Sequence, residues 1–452
     1  MSEKPIRAAT EALGFERSSR LRERAHDLIP GGCHTYAKGD DQFPEQAPAF
    51  IVRGKGCHVW DPDGNEFIEY GMGLRAVTLG HAFEPVDEAA IRALRLGNNF
   101  TRPSLIESEL AELLVDLIPC AEQVKFAKDG STVMTAAAKL ARAYTGRPMV
   151  AFCADHPFFS INDWFIGNTE MAAGIPPEAI QLTATFRYND IASVTALFDR
   201  HPGRIACLIM EAERTAPPKD GFLLKVQELC RKNGALFVLD EMITGFRWHL
   251  KGAQHIHSLD PDLAGFGKAL ANGFAVSALA GKRDIMELGG LRTKKEKVFL
   301  LSTTHGAESC ALAAAIATVN AYKELGVVDV LYRQGRRLAN GIGKIVDSLG
   351  LAGHFALEGP PCALIYATRD QEKRPSQAFR TLFMQEIIKR GILGPSFVDS
   401  YSHSDEDIDR TIDAVGEALV VYRQALEQGV EKFLQGRPVK PAIRRYNDQV
   451  FD

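Results

Sequence analysis

Between Val238 and Asn272 the chain sets an acid and an amine at the ends of two neighbouring apolar runs. Leu236-Phe237-Val238-Leu239 leads into Asp240, and Leu263-Ala264-Gly265-Phe266 leads through Gly267 into Lys268. Short continuous apolar runs read as buried strands. Open α/β sheets place their ligands outside the carboxyl ends of such strands, so both side chains can project from one sheet edge. A lysine amine condenses with an aldehyde, and a carboxylate beside a pyridine nitrogen favours the protonated, electron-withdrawing ring; these are the two demands of pyridoxal phosphate. Taken singly, the residues read more readily as a structural ion pair plus an exposed lysine, so a third element is needed. Lys125-Phe126-Ala127-Lys128-Asp129-Gly130-Ser131-Thr132 supplies it: a strand ends, a glycine turn follows, and a helix opens with free amides at Gly130, Ser131 and Thr132. Such a helix start can hold a phosphate dianion. The plainer alternative is an ordinary cap by Asp129 or Ser131.

The elements that must position these residues follow from the rhythm of the chain. At 452 residues it is about three times a typical domain of roughly 150, so two domains are expected. Hydrophobic residues at 46% and charged residues at 24% are ordinary globular usage and exclude a disordered, collagenous or coiled-coil protein. The 53 Lys and Arg against 57 Asp and Glu give a net charge of -4, which offers no positive field for nucleic acid. Eight scattered cysteines without a Cys-x-x-Cys pair argue against a disulfide framework or zinc ribbon and suit reduced thiols in a cytoplasm. No leader pattern appears, and the longest apolar stretch, Ala311 to Val319, is too short to span a bilayer.

Ser18 to Leu28 reads as a charged helix, and Cys57 to Tyr70 as a hairpin turning at Asp61-Pro62-Asp63-Gly64-Asn65. From Val77 to Glu324 helices alternate with apolar strands at Gln123–Phe126, Met149–Phe152, Ile205–Met210, Leu236–Leu239, Leu263–Phe266 and Ser277–Ala280. Thr132 to Tyr144 and Leu224 to Lys232 carry helical spacing between them. This predicts an α/β fold with a mostly parallel sheet covered on both faces. The expected segments are 1–76, an N-terminal helix and hairpin; 77–326, a large cofactor-binding domain; and 327–452, a smaller C-terminal α/β domain with a basic tail from Arg437 to Arg445.

Read together, these stretches resemble one family, the class III (fold type I) pyridoxal-phosphate-dependent aminotransferases, and within it the glutamate-1-semialdehyde 2,1-aminomutase-like group. The likeness runs from about Pro30 to Leu426. It is carried by Ile29-Pro30-Gly31-Gly32, Val59-Trp60-Asp61 with Asp63-Gly64 and Phe67-Ile68, Leu79-Gly80-His81, Leu140-Ala141-Arg142-Ala143-Tyr144-Thr145-Gly146-Arg147, the Asp240 to Arg247 block, Lys268, and Ser402-His403-Ser404-Asp405-Glu406-Asp407-Ile408. The resemblance implies a seven-stranded sheet in the large domain and a homodimer with shared active sites. It implies that Lys268 carries the cofactor covalently and shuttles a proton, Asp240 holds the ring nitrogen, and Met242 packs on a ring face. Gly130 and Ser131 would bind the phosphate, Thr303 would reach the partner subunit's phosphate, and Glu211 would stand at the cofactor edge.

The chain departs from that pattern in informative places. Asp129 replaces the first serine of the phosphate turn, which puts an acid beside the phosphate unless the side chain turns back to cap the helix. Asp155 stands where the family stacks an aromatic on the ring, so His156, Phe158 or Phe159 takes that place or His156 is a satisfied core histidine. Glu211-Ala212-Glu213-Arg214 replaces a Glu-Pro run. Leu74 and Arg75 stand where the aminomutases carry tryptophan and glycine; Arg75, and more weakly Lys38, are candidates to bind a substrate carboxylate, with a structural ion pair as the alternative for Arg75.

The activity implied is transfer of an amino group from an amino-acid donor to a keto or aldehyde acceptor by a ping-pong mechanism, with the aminomutase reaction as the alternative. Other readings fail on spacing. Gly71-x-Gly73-x-x-Ala76 is followed by Pro85 rather than by the helix and acid of a dinucleotide site. No phosphate-binding Gly-Lys-Ser/Thr loop exists, and His255 and His257 are two apart, a poor spacing for metal ligands and more in keeping with surface or dimer-contact residues; no metal is expected.

Overall fold

The computed structural model describes residues 13–156 and 158–448; the expectations that reach into 1–12 and 449–452, and onto Pro157, lie outside the described residues. The chain forms two compact units. One takes the residues up to Phe83 together with those from Asp329 onward; the other is Glu84–Val328. In the first, β1 (Arg53–Lys55), β2 (His58–Trp60) and β3 (Glu66–Glu69) are antiparallel neighbours. The second holds β4 (Gln123–Ala127), β5 (Met149–Cys153), β6 (Thr183–Phe186), β7 (Ile205–Met210), β8 (Leu236–Asp240), β9 (Leu263–Phe266) and β10 (Ser277–Gly281). β11 (Phe355–Glu358), β12 (Ile365–Thr368) and β13 (Ile392–Leu393) return to the first.

The seven strands of Glu84–Val328 form one sheet in the order β4-β10-β9-β8-β7-β5-β6. All pairs are parallel except those of β10, which runs antiparallel to β4 and β9. Every residue of β5, β7, β8, β9 and β10 is buried, as expected of strands covered on both faces. β6 is the strand that the apolar runs do not announce. Its Thr183-Ala184-Thr185-Phe186 lies at the sheet edge, where only Phe186 needs to be buried. The helix Gly130–Thr145 lays Val133, Met134, Ala137, Leu140 and Ala141 into the core, spaced as one helical face. It ends at Gly146, whose φ of 68° suits glycine at a helix C-terminus.

In the first unit β3 pairs in parallel with β13, joining Ile68 to Ile392 across more than three hundred residues of chain. The helices Gln377–Lys389 and Asp405–Gln428 close a core that contains Phe355, Tyr366, Phe383, Phe397 and Tyr422. Gly335 in the helix Val327–Ser348 lies so close to the Pro361 carbonyl that any Cβ there would collide with it. No single described helix is long and apolar enough to cross a membrane. All eight cysteines are free.

The helix Asp405–Gln428 opens with a capping box between Ser404 and Asp407, and the hairpin is tied to it through His58. One imidazole nitrogen of His58 lies 3.1 Å from Asp407 and the other 2.8 Å from Glu66. The hydrogen bond to Asp407 raises the His58 pKa above its ordinary 6.5, against the opposing effect of burial. Burial by itself would raise Asp407, but hydrogen bonds from His58 and Ser404 outweigh it and hold the carboxyl well below the usual range.

These shifts set a pH window. His58 contributes fully below about pH 6.5 and loses its contribution as pH rises through its raised folded value; Asp407 contributes above about pH 4 and loses it on acidification. Thermal melts of wild type and His58→Gln should therefore differ most at about pH 5 to 6, by about 1–2 kcal/mol. The gap should close towards alkaline pH; a constant gap would show that the charge on His58 is not what matters.

Candidate active site

The register of the sheet brings the sequence candidates of the large unit to one edge. β4, β5, β7, β8 and β9 all run the same way, so the residues leaving their C-terminal ends share the edge from which β10 starts. Asp240, the last residue of β8, pairs with Gly265, three residues before Lys268. Met210 pairs with Leu239, which places Glu211 beside Asp240. Ser277 pairs with Ala127, two residues before Asp129, and its hydroxyl donates to the Asp129 carbonyl at 2.9 Å. This is the carboxyl edge at which parallel sheets bind ligands.

Asp240 is only 3% exposed. Its Oδ1 accepts the Met242 amide at 2.8 Å, and among the described residues no donor reaches Oδ2. Burial and then the neighbouring Glu211 charge push its pKa up to about 7, while Lys268 pulls it down. Glu241, next in the chain and fully buried, faces the other way. It accepts from the Ala253 amide at 3.0 Å, the Gln254 amide at 2.9 Å and the Thr244 hydroxyl, and so folds the loop that follows β8.

Lys268 opens the 3-10 turn Lys268–Ala271 with a left-handed φ of 45°, a costly conformation for a side-chain-bearing residue that recurs at functional sites. The turn is held from outside. Ala269, Leu270 and Ala271 are buried, and the Tyr322 hydroxyl donates to the Ala269 carbonyl at 2.5 Å. Met242 lies beneath the site, where a Cβ on Gly130 would stand 2.9 Å from its sulfur and one on Gly267 2.7 Å. Both glycines therefore make room for the Met242 thioether.

The Asp129 carboxylate turns back onto its helix. Oδ1 accepts the Thr132 amide and Oδ2 the Thr132 hydroxyl, each at 2.8 Å, a cap worth about 1 kcal/mol. The amides of Gly130 and Ser131 start the helix and by construction have no acceptor within it. Ser131 Oγ accepts the Ile161 amide at 3.1 Å, which leaves its own proton to donate.

His156 is buried, and its Nδ1 accepts the Glu211 amide at 3.0 Å. Burial, then the Arg214 charge, push its pKa down to about 3, so the ring is neutral with its proton on Nε2. Phe159 belongs to the core and Phe158 is largely exposed. Asp155 turns to Arg187 at 2.7 Å and accepts the Tyr188 amide at 2.7 Å. Of the two histidines expected at the surface or a dimer contact, His255 is exposed and His257 is part-buried, 3.3 Å from Glu213. Thr303 is exposed in the turn before the helix Ser309–Leu325.

Arg75 and Lys38 belong to the other unit. Lys38 and Leu74 line a cavity of about 560 Å³ with apolar walls that include Phe43, Pro44 and Phe50; Arg75 is not among its lining residues. Of the charged residues around that cavity, Arg22 and His26 pair with Asp40 and His81 with Glu69, whereas Lys38 makes no ion pair among the described residues. Met72, Gly73, Leu74 and Arg75 have φ of 41°, 60°, 60° and 70°, a left-handed turn. Each non-glycine residue in that conformation costs roughly 1–2 kcal/mol.

An amine, a buried carboxylate lacking a donor at one oxygen, a helix start and a glycine-lined floor suit a ring nitrogen, an aldehyde and a phosphate on one molecule. The aminotransferase class-III family profile matches residues 37–352. The chain belongs to the class-III aminotransferases, a family whose cofactor is pyridoxal phosphate. It is 31% identical over 426 residues to the 3-aminobutyryl-CoA aminotransferase of Cloacimonas acidaminovorans, covering 92% of this chain and all of that one. It is likewise 31% identical over 428 residues to the glutamate-1-semialdehyde 2,1-aminomutase of Acetivibrio thermocellus, covering 89% and 97%. The FumI protein of Sphingopyxis sp. MTA144, solved in its PLP internal aldimine form, superposes with a TM-score of 0.84 at 27% identity over 91% of this chain and 98% of its own. The fold and the aminotransferase function read from the sequence agree with these likenesses.

Sequence reading missed Tyr188, Tyr322 and Ser277. All three act through hydrogen bonds to distant backbone, which leave no local pattern. The packing of Met242 is directly testable. Gly267→Ala should lower stability by about 1–3 kcal/mol by overpacking, and Gly267→Ala with Met242→Ala should recover part of the loss in a denaturant melt. Equal losses in the single and double variants would show that the methionine is not the obstacle.

Proposed function

We propose that this class-III enzyme moves an amino group from an amino-acid donor to a keto or aldehyde acceptor, with Lys268 as the residue that carries its cofactor. Pyridoxal phosphate, when bound, supplies an aldehyde for amines to condense with and a ring that withdraws electrons from the substrate carbon. The chain's residues do the rest. Lys268 Nζ is the carrying amine and, when released, the base that lifts and returns the proton at the substrate carbon. Asp240 Oδ2 accepts the ring N–H, and the low polarity around it makes that pairing strong. The Gly130 and Ser131 amides and the Ser131 hydroxyl hold the phosphate, Met242 supports the ring from below, and neutral His156 with Glu211 lines its edge. Thr303 reaches the phosphate of a partner subunit in a homodimer, and the enzyme works in the cytoplasm.

The observation that carries this reading is the Asp240 carboxylate, buried with one oxygen lacking a donor on the same edge as Lys268. Asp240→Asn should fold normally by circular dichroism, bind pyridoxal phosphate at least about tenfold more weakly and lose roughly 10²-fold in turnover. Visible absorbance before and after L-glutamate, with released 2-oxoglutarate assayed alongside, reads both. An unchanged spectrum and turnover in the variant would remove Asp240 from the ring nitrogen. Lack of response to glutamate in the wild type would favour another donor or the aminomutase reaction.

Arg75 and Lys38 are proposed for the substrate carboxylate. The left-handed φ of Arg75 is one that suits glycine, and an arginine held there at such a cost supports a role for its guanidinium. Arg75→Gly should raise stability by about 1–2 kcal/mol while raising the KM of a carboxylate substrate about tenfold. A stabilised variant with unchanged KM and kcat would sink the carboxylate role.

A further inference from the structure

We infer that Arg214 is a specificity residue of the large unit that binds a second acidic group of the substrate, so that the enzyme selects dicarboxylic amino or oxo acids over monocarboxylic ones. The inference rests on the aminotransferase reading above and extends it to the substrate class. Arg214 lies in the segment that leaves β7 on the ligand-binding edge, three residues after the Glu211 whose amide holds His156. At most roughly 11 Å separate their Cα atoms.

That segment is pinned at both ends. The Tyr188 hydroxyl donates to the Ala212 carbonyl at 2.7 Å, Asn189 Nδ2 donates to the Pro217 carbonyl at 3.0 Å, and the Lys219 amide donates to Asn189 Oδ1 at 2.9 Å. Glu213 is engaged with His257. Arg214 occupies the middle, half-buried, and makes no hydrogen bond or ion pair among the described residues, Glu211 and Glu213 included. Its charge is nonetheless felt at buried His156.

A partly desolvated guanidinium without a carboxylate is unusual, because its five donors and fixed fork match a carboxylate and its burial is otherwise uncompensated. Glu213 faces His257, and Tyr188 against His156, with ring centroids 5.1 Å apart, gives the place an apolar side. An anion arriving beside Arg214 meets one uncommitted cation at the edge that carries Lys268 and Asp240.

The test uses the holoenzyme and two unreactive probes, glutarate and butyrate, as competitive inhibitors of the donor half-reaction, with direct binding by calorimetry. Wild type should bind glutarate roughly tenfold or more tightly than butyrate. Arg214→Ala should bring that ratio close to one with the cofactor spectrum intact, and Arg214→Lys should restore part of it where Arg214→Gln does not. A glutarate preference that survives Arg214→Ala, an equal weakening of both probes, or a wild type without the preference each overturns the proposal. Failure of the underlying reading shows elsewhere, as absence of the cofactor absorbance.

Discussion

A carboxylate placed at the end of a strand with no exposed residue sets the terms for the rest of the molecule. Asp240 ends β8, which is flanked by two strands equally buried, and solvation by water is not open to it. An isolated buried charge is so unfavourable that a carboxyl group in such a position either takes up a proton or finds a cation. The chain provides one amide and the nearby Lys268 charge and, among the described residues, leaves one oxygen without a donor. The surrounding sheet has to be rigid for this to work. Continuous apolar strands, the helix Gly130–Thr145 against them, and Tyr322 bracing the Lys268 turn supply that rigidity.

Three acids that depart from the expected pattern are each disposed of locally. Asp129 caps its own helix, Asp155 turns to Arg187, and Glu213 turns to His257. None is left to repel a phosphate or a carboxylate at the sheet edge. Arg214 is the one departure without a local partner among the described residues, which is why it carries meaning that the acids do not.

The left-handed turn at Met72 to Arg75 is strain of another kind. Its backbone is closed by the Arg75 amide on the Gly71 carbonyl at 2.9 Å and by the Ala76 amide on the Met72 carbonyl at 2.9 Å, so the conformation is imposed by hydrogen bonds and packing rather than by residue preference. Met72 is buried, which anchors the turn from within. Conformations of this cost persist only where the surroundings over-determine them.

Asp240, Lys268 and the Gly130 helix start were legible in the residues alone because each sits at a junction between a strand and a turn, where composition changes sharply. The central strands were legible for the same reason: burial on both faces demands unbroken apolar runs, and β7 and β9 begin and end where those runs do. β6 was not, since an edge strand needs only one buried side chain. Nor was the pairing of β3 with β13, or the choice of His156 over Phe158 and Phe159 to face Glu211, because both depend on contacts between distant segments. The sequence by itself thus determined the sheet, its ligand edge and the groups presented there, through local hydrophobic pattern and turn chemistry. Only the tertiary structure decided which way each polar side chain turns, because that is settled by whichever donor or acceptor the fold brings within about 3 Å.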